Sequence, residues 1–188
     1  MGIRALVALG LVLAGMLAGC SSEAEMPDTA PPVESALLAC PEQTDEAVDG
    51  GALPALSFEC VGGGELDLGR APGVPTVVNL WGSWCAPCRE ELPLLQQFAA
   101  DAGDQVRVVG LISKDGIPQA ESFAADAGVT FPSAYDAPGQ LMAELGINAL
   151  PYTAFIAADG TLVHSQLGPF ASVDELRGLV AEHLGVQL

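Results

Sequence analysis

The sequence predicts an α/β fold with a central mixed β-sheet flanked by helices. Three observations lead to it. Strand-like and helix-like segments alternate through the second half of the chain, and a strand pair with a helix closes it. A Cys-x-x-Cys sits where a buried strand hands over to a helix. Residues 53–188 amount to one domain, with no internal repeat and no glycine-rich phosphate loop.

Segments 54–60 and 65–68 read as strands of an N-terminal β-hairpin extension. Segment 75–81, with TVVNLW at its heart, is a short apolar run with β-branched residues, as in a strand buried on both faces. Segment 86–101 is helical, because Leu92, Leu95, Phe98 and Ala99 fall on one face. Pro87 lies in its first turn, where a missing N–H costs little. Pro93 lies inside it and should kink it. Segment 106–112 is a strand, and 117–127 and 138–145 are helices. Strands at 152–157 and 161–166 flank a turn at Asp159-Gly160. A last helix spans 172–184, with Ser172 and Glu175 as a capping box.

The N-terminus reads as an address. Arg4 is a short basic region, and Ala5–Ala18 is apolar or glycine. That run is shorter than the roughly 20 residues a membrane-spanning helix needs, and it fits a secretory signal. It ends in Leu17-Ala18-Gly19-Cys20, which resembles the bacterial lipobox. Residues 1–19 would then be a lipoprotein signal peptide, with Cys20 lipidated on the extracytoplasmic face of the cell membrane. An ordinary cleaved signal and an uncleaved anchor are the alternatives. Residues 20–52 read as an acidic, Pro-rich tether with little to bury. Eight acids lie between Glu23 and Asp49, and no Lys or Arg falls between Arg4 and Arg70. The net charge of −18 argues against nucleic acid as a partner.

Outside the cytoplasm, cysteines can form lasting disulfides. With Cys20 taken by lipid, Cys40, Cys60, Cys85 and Cys88 remain. The local motif pairs Cys85 with Cys88. Cys40 and Cys60 then pair by elimination as a structural bridge, against a second redox pair or two free thiols. Zinc does not fit. There is no second Cys-x-x-Cys, and His164 and His183 lack ligand spacing. His164 reads as a plain strand residue and His183 as a surface residue at a helix C-terminus. No metal and no cofactor is expected.

Cys85 falls at a helix N-terminus, where unpaired N–H groups and the helix dipole favour a thiolate. Cys88 follows one turn later and is expected to be more buried. Cys85 would attack a client disulfide, and Cys88 would then attack Cys85 and release the reduced client. The reverse sequence oxidises a dithiol. Trp81 and Trp84 read as packing around the loop, with Trp84 also shielding Cys85. Arg89 reads as a helix-surface residue within reach of the Cys85 thiolate. Glu90 and Glu91 read as acids serving the helix N-terminus.

Trp84-Cys85-Ala86-Pro87-Cys88 after VVNLWGS, with REELP behind it, resembles the thioredoxin superfamily. More narrowly it is similar to the TlpA-like, membrane-anchored extracytoplasmic thiol–disulfide oxidoreductases. A second motif, Gly146 to Ile156, stands where that family carries a cis-proline loop facing the redox pair. The resemblance therefore implies that Pro151 is cis. It implies that Leu150 and Tyr152 flank a substrate groove with Trp84, Ala86 and Pro87. It makes Asn79 the counterpart of a buried Asp, able to hold a water but not to act as a base. That leaves open how Cys88 loses its proton. Segment 114–145 resembles the helix–strand insertion of the branch, on a thioredoxin-like fold.

The resemblance implies client proteins with thiols or disulfides and a membrane thiol electron donor; a monomer is expected. It favours a reductant, as in cytochrome c maturation, over an oxidant of exported chains. A peroxiredoxin-like peroxidase is a rival, but that chemistry commonly places Thr three residues before its Cys, where Gly82 stands. A non-enzymatic module binding a client, haem or Cu(I) is another. Met142 is the nearest residue in character for copper, and its helical spacing suits a core position.

Overall fold

The computed structural model describes residues 35–48, 50 and 53–188. The signal segment, Cys20 and the first part of the tether lie outside the described residues. In chain order the elements are β1 (Ser57–Glu59), β2 (Glu65–Asp67), β3 (Thr76–Trp81), α1 (Ala86–Ala102), β4 (Arg107–Ser113) and α2 (Ile117–Asp126). Then follow β5 (Ser133–Asp136), α3 (Gln140–Glu144), β6 (Tyr152–Ile156), β7 (Leu162–Leu167) and α4 (Val173–Leu184). Strands β1 and β2 form an antiparallel hairpin, and the main sheet has the order β5-β4-β3-β6-β7. β3 runs parallel to β4, and β4 to β5, whereas β6 is antiparallel to both β3 and β7. The sheet is mixed, as expected from the alternation.

Burial explains the layout. Every residue of β3 is buried, because it pairs on both sides and is covered on both faces. α1 buries Cys88, Glu91, Leu92, Leu95, Phe98 and Ala102, a stripe at helical spacing, and packs against α4. The helix continues through Pro93 as one element. α4 starts at Ser172, whose Oγ accepts from the Glu175 N–H at 3.1 Å. The Glu175 carboxylate reaches back to the Ala171 N–H at 2.7 Å, one residue earlier than in the usual box. β7 is the edge strand and alternates half-buried and exposed residues. His164 in β7 and His183 in α4, 19 residues apart, stack with ring centroids 4.0 Å apart. Desolvation, then the neighbouring His183, pull the His164 pKa below its ordinary value.

Two features differ from the sequence expectation. β5, Ser-Ala-Tyr-Asp, lacks β-branched residues and does not read as a strand from its own pattern; only the resemblance, with its helix–strand insertion over 114–145, implies one there. It exists because β4 offers it a parallel edge, with Gly110 opposite Ser133 and Ser113 opposite Asp136. Its outer edge is in turn covered by the hairpin, through a bridge between Cys60 and Ala134 and a bond from the Val61 N–H to the Ser133 carbonyl.

The second difference is the tether. Residues 37–48 do not hang free; they run along the domain. Leu37 is buried, and the Leu38 N–H donates to the Thr130 carbonyl at 2.9 Å. The Gln43 side chain donates to the Asp67 carbonyl and accepts from the Asp67 N–H, both at 2.8 Å. Ala47 bridges to Arg70. Average polarity hid Leu37, whose burial, with the expected Cys40–Cys60 bridge, holds this segment against the domain. The approach is close: a Cβ on Gly62 would lie 2.2 Å from the Leu37 carbonyl oxygen.

Cys40 and Cys60 form a disulfide with Cα atoms 5.9 Å apart, closing a loop of 20 residues. Such a loop contributes about 3 kcal/mol in the chain-entropy model. The Cys40→Ser/Cys60→Ser double variant should fold but lose about that much in denaturant unfolding. An unchanged midpoint would remove the staple role.

Candidate active site

The end of β3, the loop 82–85 and the start of α1 build the centre. Cys85 is the N-cap of α1, and its Sγ accepts from the Cys88 N–H at 3.3 Å. Its own N–H donates to the Gly82 carbonyl at 3.0 Å, which turns the chain into the helix. Cys85 and Cys88 are joined as a disulfide, with Cα atoms 5.3 Å apart. Cys85 is 4% exposed and Cys88 is fully buried. An incoming sulfur therefore reaches Cys85 first. When the bridge opens, the helix N-terminus favours the thiolate on Cys85.

Trp84 is 55% exposed beside the pair. Its indole folds back over Gly82, where a Cβ would lie 2.6 Å from Nε1. Trp81 is buried core. Ala86 and Pro87 are exposed at the helix start. The Leu150–Pro151 peptide bond is cis. Leu80 of β3 lies opposite Tyr152 of β6, which brings Pro151 level with the end of β3. Leu150, Pro151 and Tyr152 are all buried, so their side chains sit within the wall and do not project from it. The exposed apolar residue at this rim is Leu167, opposite Tyr152, which sequence reasoning did not single out.

Glu91 corrects an expectation. It was read as an acid serving the helix N-terminus, but it is 1% exposed and lies on the buried stripe with Cys88. Residues three apart on a helix share a face, so Glu91 falls on the same buried face as Cys88. Asn79 Nδ2 donates to Glu91 Oε1 at 3.4 Å and to Thr153 Oγ1 at 2.9 Å. Burial pushes the Glu91 pKa up to about 8, against lowering bonds from Phe170 and Asn79, while the Glu175 charge raises it further. Glu91 Oε2 and Asn79 Oδ1 have no protein partner among the described residues. A carboxyl so placed exchanges protons near neutral pH. The signal available in the sequence was its position, three residues after Cys88 and one before Leu92.

Arg89 is spent elsewhere: its guanidinium stands 4.8 Å from the centre of the Phe123 ring on α2. Glu90 is exposed, and Met142 is buried core. The structure pulls His164 and His183 together away from the redox pair, on β7 and α4.

The chain belongs to the Redoxin family. The family profile matches residues 48–180. Among Redoxin relatives, the thiol:disulfide interchange protein CycY of Rhizobium leguminosarum bv. viciae is 31% identical over 109 residues. That match covers 57% of this chain and 58% of CycY. DsbE of Yersinia pestis is 31% identical over 132 residues, covering 68% of this chain and 69% of DsbE. A secreted Mycobacterium tuberculosis disulfide oxidoreductase, homologous to E. coli DsbE, superposes with a TM-score of 0.59 at 30% identity. It covers 68% of this chain and 96% of that one. The fold is thioredoxin-like. No described helix is long and apolar enough to cross a membrane.

Glu91→Gln tests the buried acid twice. A carboxyl whose folded pKa is raised stabilises the fold below its ordinary value of 4.5, and that stability is lost as pH rises through about 8. The variant should therefore melt higher than the parent at pH 8 or above, with the difference vanishing near pH 4. It should also slow the attack of Cys88 on a mixed disulfide by about 100-fold at pH 7. A parent-like rate would remove Glu91 from the chemistry.

Proposed function

We propose that this Redoxin protein is an extracytoplasmic thiol–disulfide oxidoreductase that reduces client disulfides. The observation that carries the reading is the asymmetry of the pair. Cys85 caps α1 and keeps 4% exposure, while Cys88 is fully buried on the helix face that also carries Glu91. The printed names of its relatives, thiol:disulfide interchange proteins, support the same chemistry.

In the first step the Cys85 thiolate attacks one sulfur of a client disulfide. A Cys85–client bond forms and the client's other sulfur leaves as a thiolate. In the second step Glu91 takes the Cys88 proton, and the Cys88 thiolate attacks Cys85 Sγ. The Cys85–client bond breaks, and the second client sulfur leaves as a thiolate. The client gains two electrons, and this chain ends as the Cys85–Cys88 disulfide. A membrane dithiol donor returns it to the reduced form. The cis Leu150–Pro151 segment and Trp84 border the approach to Cys85 and are assigned to client contact.

Cys20 carries the lipid in this reading, and the protein works as a monomer. Clients of cytochrome c maturation are one class that suits it. The resemblance to TlpA-like reductases supports the direction.

Cys88→Ser leaves Cys85 without its resolving partner and should accumulate a mixed disulfide with clients, whereas Cys85→Ser should trap none. If binding persists without either cysteine, exchange is not the function. Direction is read from the equilibrium reduction potential of the pair. A value near about −270 mV makes the protein a reductant, and one near about −120 mV makes it an oxidant of exported chains.

A further inference from the structure

We infer that Asp115 is a positioning residue for Cys85: its carboxylate clamps the redox loop to the turn that follows β4. The inference rests on the exchange chemistry proposed for the pair.

The loop 82–85 has few attachments of its own. Cys85 donates to Gly82 within the loop, and Trp84 is exposed. The bond that ties the loop to another element is the Ser83 N–H to Asp115 Oδ2 at 2.5 Å, across 32 residues of chain. Ser83 is two residues before the attacking cysteine. Asp115 and the residue before it are themselves held. Its Oδ1 accepts from the Gly116 N–H at 2.8 Å, its carbonyl accepts from Tyr135 Oη at 2.9 Å, and the preceding Lys114 N–H donates to the Asp136 carbonyl at 3.1 Å.

The backbone pays for this placement in strain. Lys114, immediately before Asp115, has φ of 53°, and among the described residues it is the one non-glycine with positive φ. Left-handed backbone at a lysine persists where its surroundings hold it, and such residues gather at functional sites. Here the stem of Lys114 lies against Gly139, where a Cβ would come within 2.4 Å of Lys114 Cε. The plainer role for Asp115 is a helix cap, but the N-cap of α2 is Gly116 and no side chain caps that helix. The long-range partner of the carboxylate is the redox loop.

The chemical consequence concerns Cys85 alone. Its thiolate is favoured only while its sulfur stays on the axis of α1, at the N–H of Cys88. A loop free to swing at Ser83 carries the sulfur off that position. The clamp keeps it there without touching it.

The test uses the full-length chain with Cys88→Ser, so that Cys85 is a free thiol. Its alkylation by iodoacetamide is followed at the Cys85 peptide across pH, together with the thermal midpoint. Asp115→Asn keeps an acceptor oxygen, whereas Asp115→Ala and Asp115→Leu remove it. Expected are a rate within about threefold of the parent for Asp115→Asn, and a loss of about tenfold at pH 7 with a raised titration midpoint for the other two. The inference fails if Ala and Leu variants that fold alkylate like the parent. It also fails if all three variants shift together, which would make the charge and not the clamp the cause. It fails again if the Ala and Leu variants do not fold while the Asn variant does, since Asp115 is then structural. The readout involves no client. An inert Cys85 in the parent would sink the exchange reading, and a reactive Cys85 indifferent to Asp115 would sink only the clamp.

Discussion

The redox centre depends on one junction: a helix that must begin where a fully buried strand ends, with a sulfur as its cap. β3 cannot shift, because it is paired on both sides and buried along its whole length. α1 cannot shift either, because Leu92, Leu95 and Phe98 are locked into the core. A sulfur is a weak acceptor beside the oxygen of Ser, Thr or Asp, which are the usual caps. The start of α1 is therefore held by burial of its apolar stripe more than by its cap. Its first N–H groups are left under-satisfied, and that is the charge a thiolate on Cys85 would answer.

The same junction explains a buried acid. A carboxyl at Glu91 is a poor core residue, and burial raises its pKa accordingly. Part of that penalty is avoided because the side chain holds its proton up to about pH 8 and so is mostly neutral in the core. Asn79 and Thr153, from β3 and β6, give it and themselves polar partners. An apolar residue would pack better at this point on α1. In the proposed exchange a titratable group on the face of Cys88 is what the apolar residue would not supply.

Local patterns made most of this legible in the sequence. The β-branched run of β3, the 3–4 spacing in α1, the Ser172–Glu175 box and the Cys85-x-x-Cys88 spacing each carry their own physical meaning within a few residues. What was hidden depends on pairing across the chain. Ser-Ala-Tyr-Asp becomes a strand only because β4 has a free edge. Residues 37–48 look like tether by composition and become structure through Leu37 and the Cys40–Cys60 bridge. Glu91 was misread because an acid near a helix start suits the dipole. The competing clue, its place on the buried stripe, outweighs the dipole once Cys88 is known to face inward. Asp115 carries no signal within its own few residues, since its partner Ser83 lies 32 residues away.

Sheet order then accounts for why distant motifs meet. β3 is central, and its two neighbours are β4 and β6. β4 runs parallel to β3, so the turn after β4 emerges at the same end as the redox loop and delivers Asp115 to Ser83. β6 runs antiparallel, so the residue that precedes it, Pro151, arrives at that same end. One element leaves and one enters, and the two border Cys85 from either side. Parallel strands on one flank and an antiparallel strand on the other are what place a turn and a strand start together there. An all-parallel sheet would have set the start of β6 at the far pole, away from Cys85. The mixed sheet is thus a condition of the site as much as of the fold.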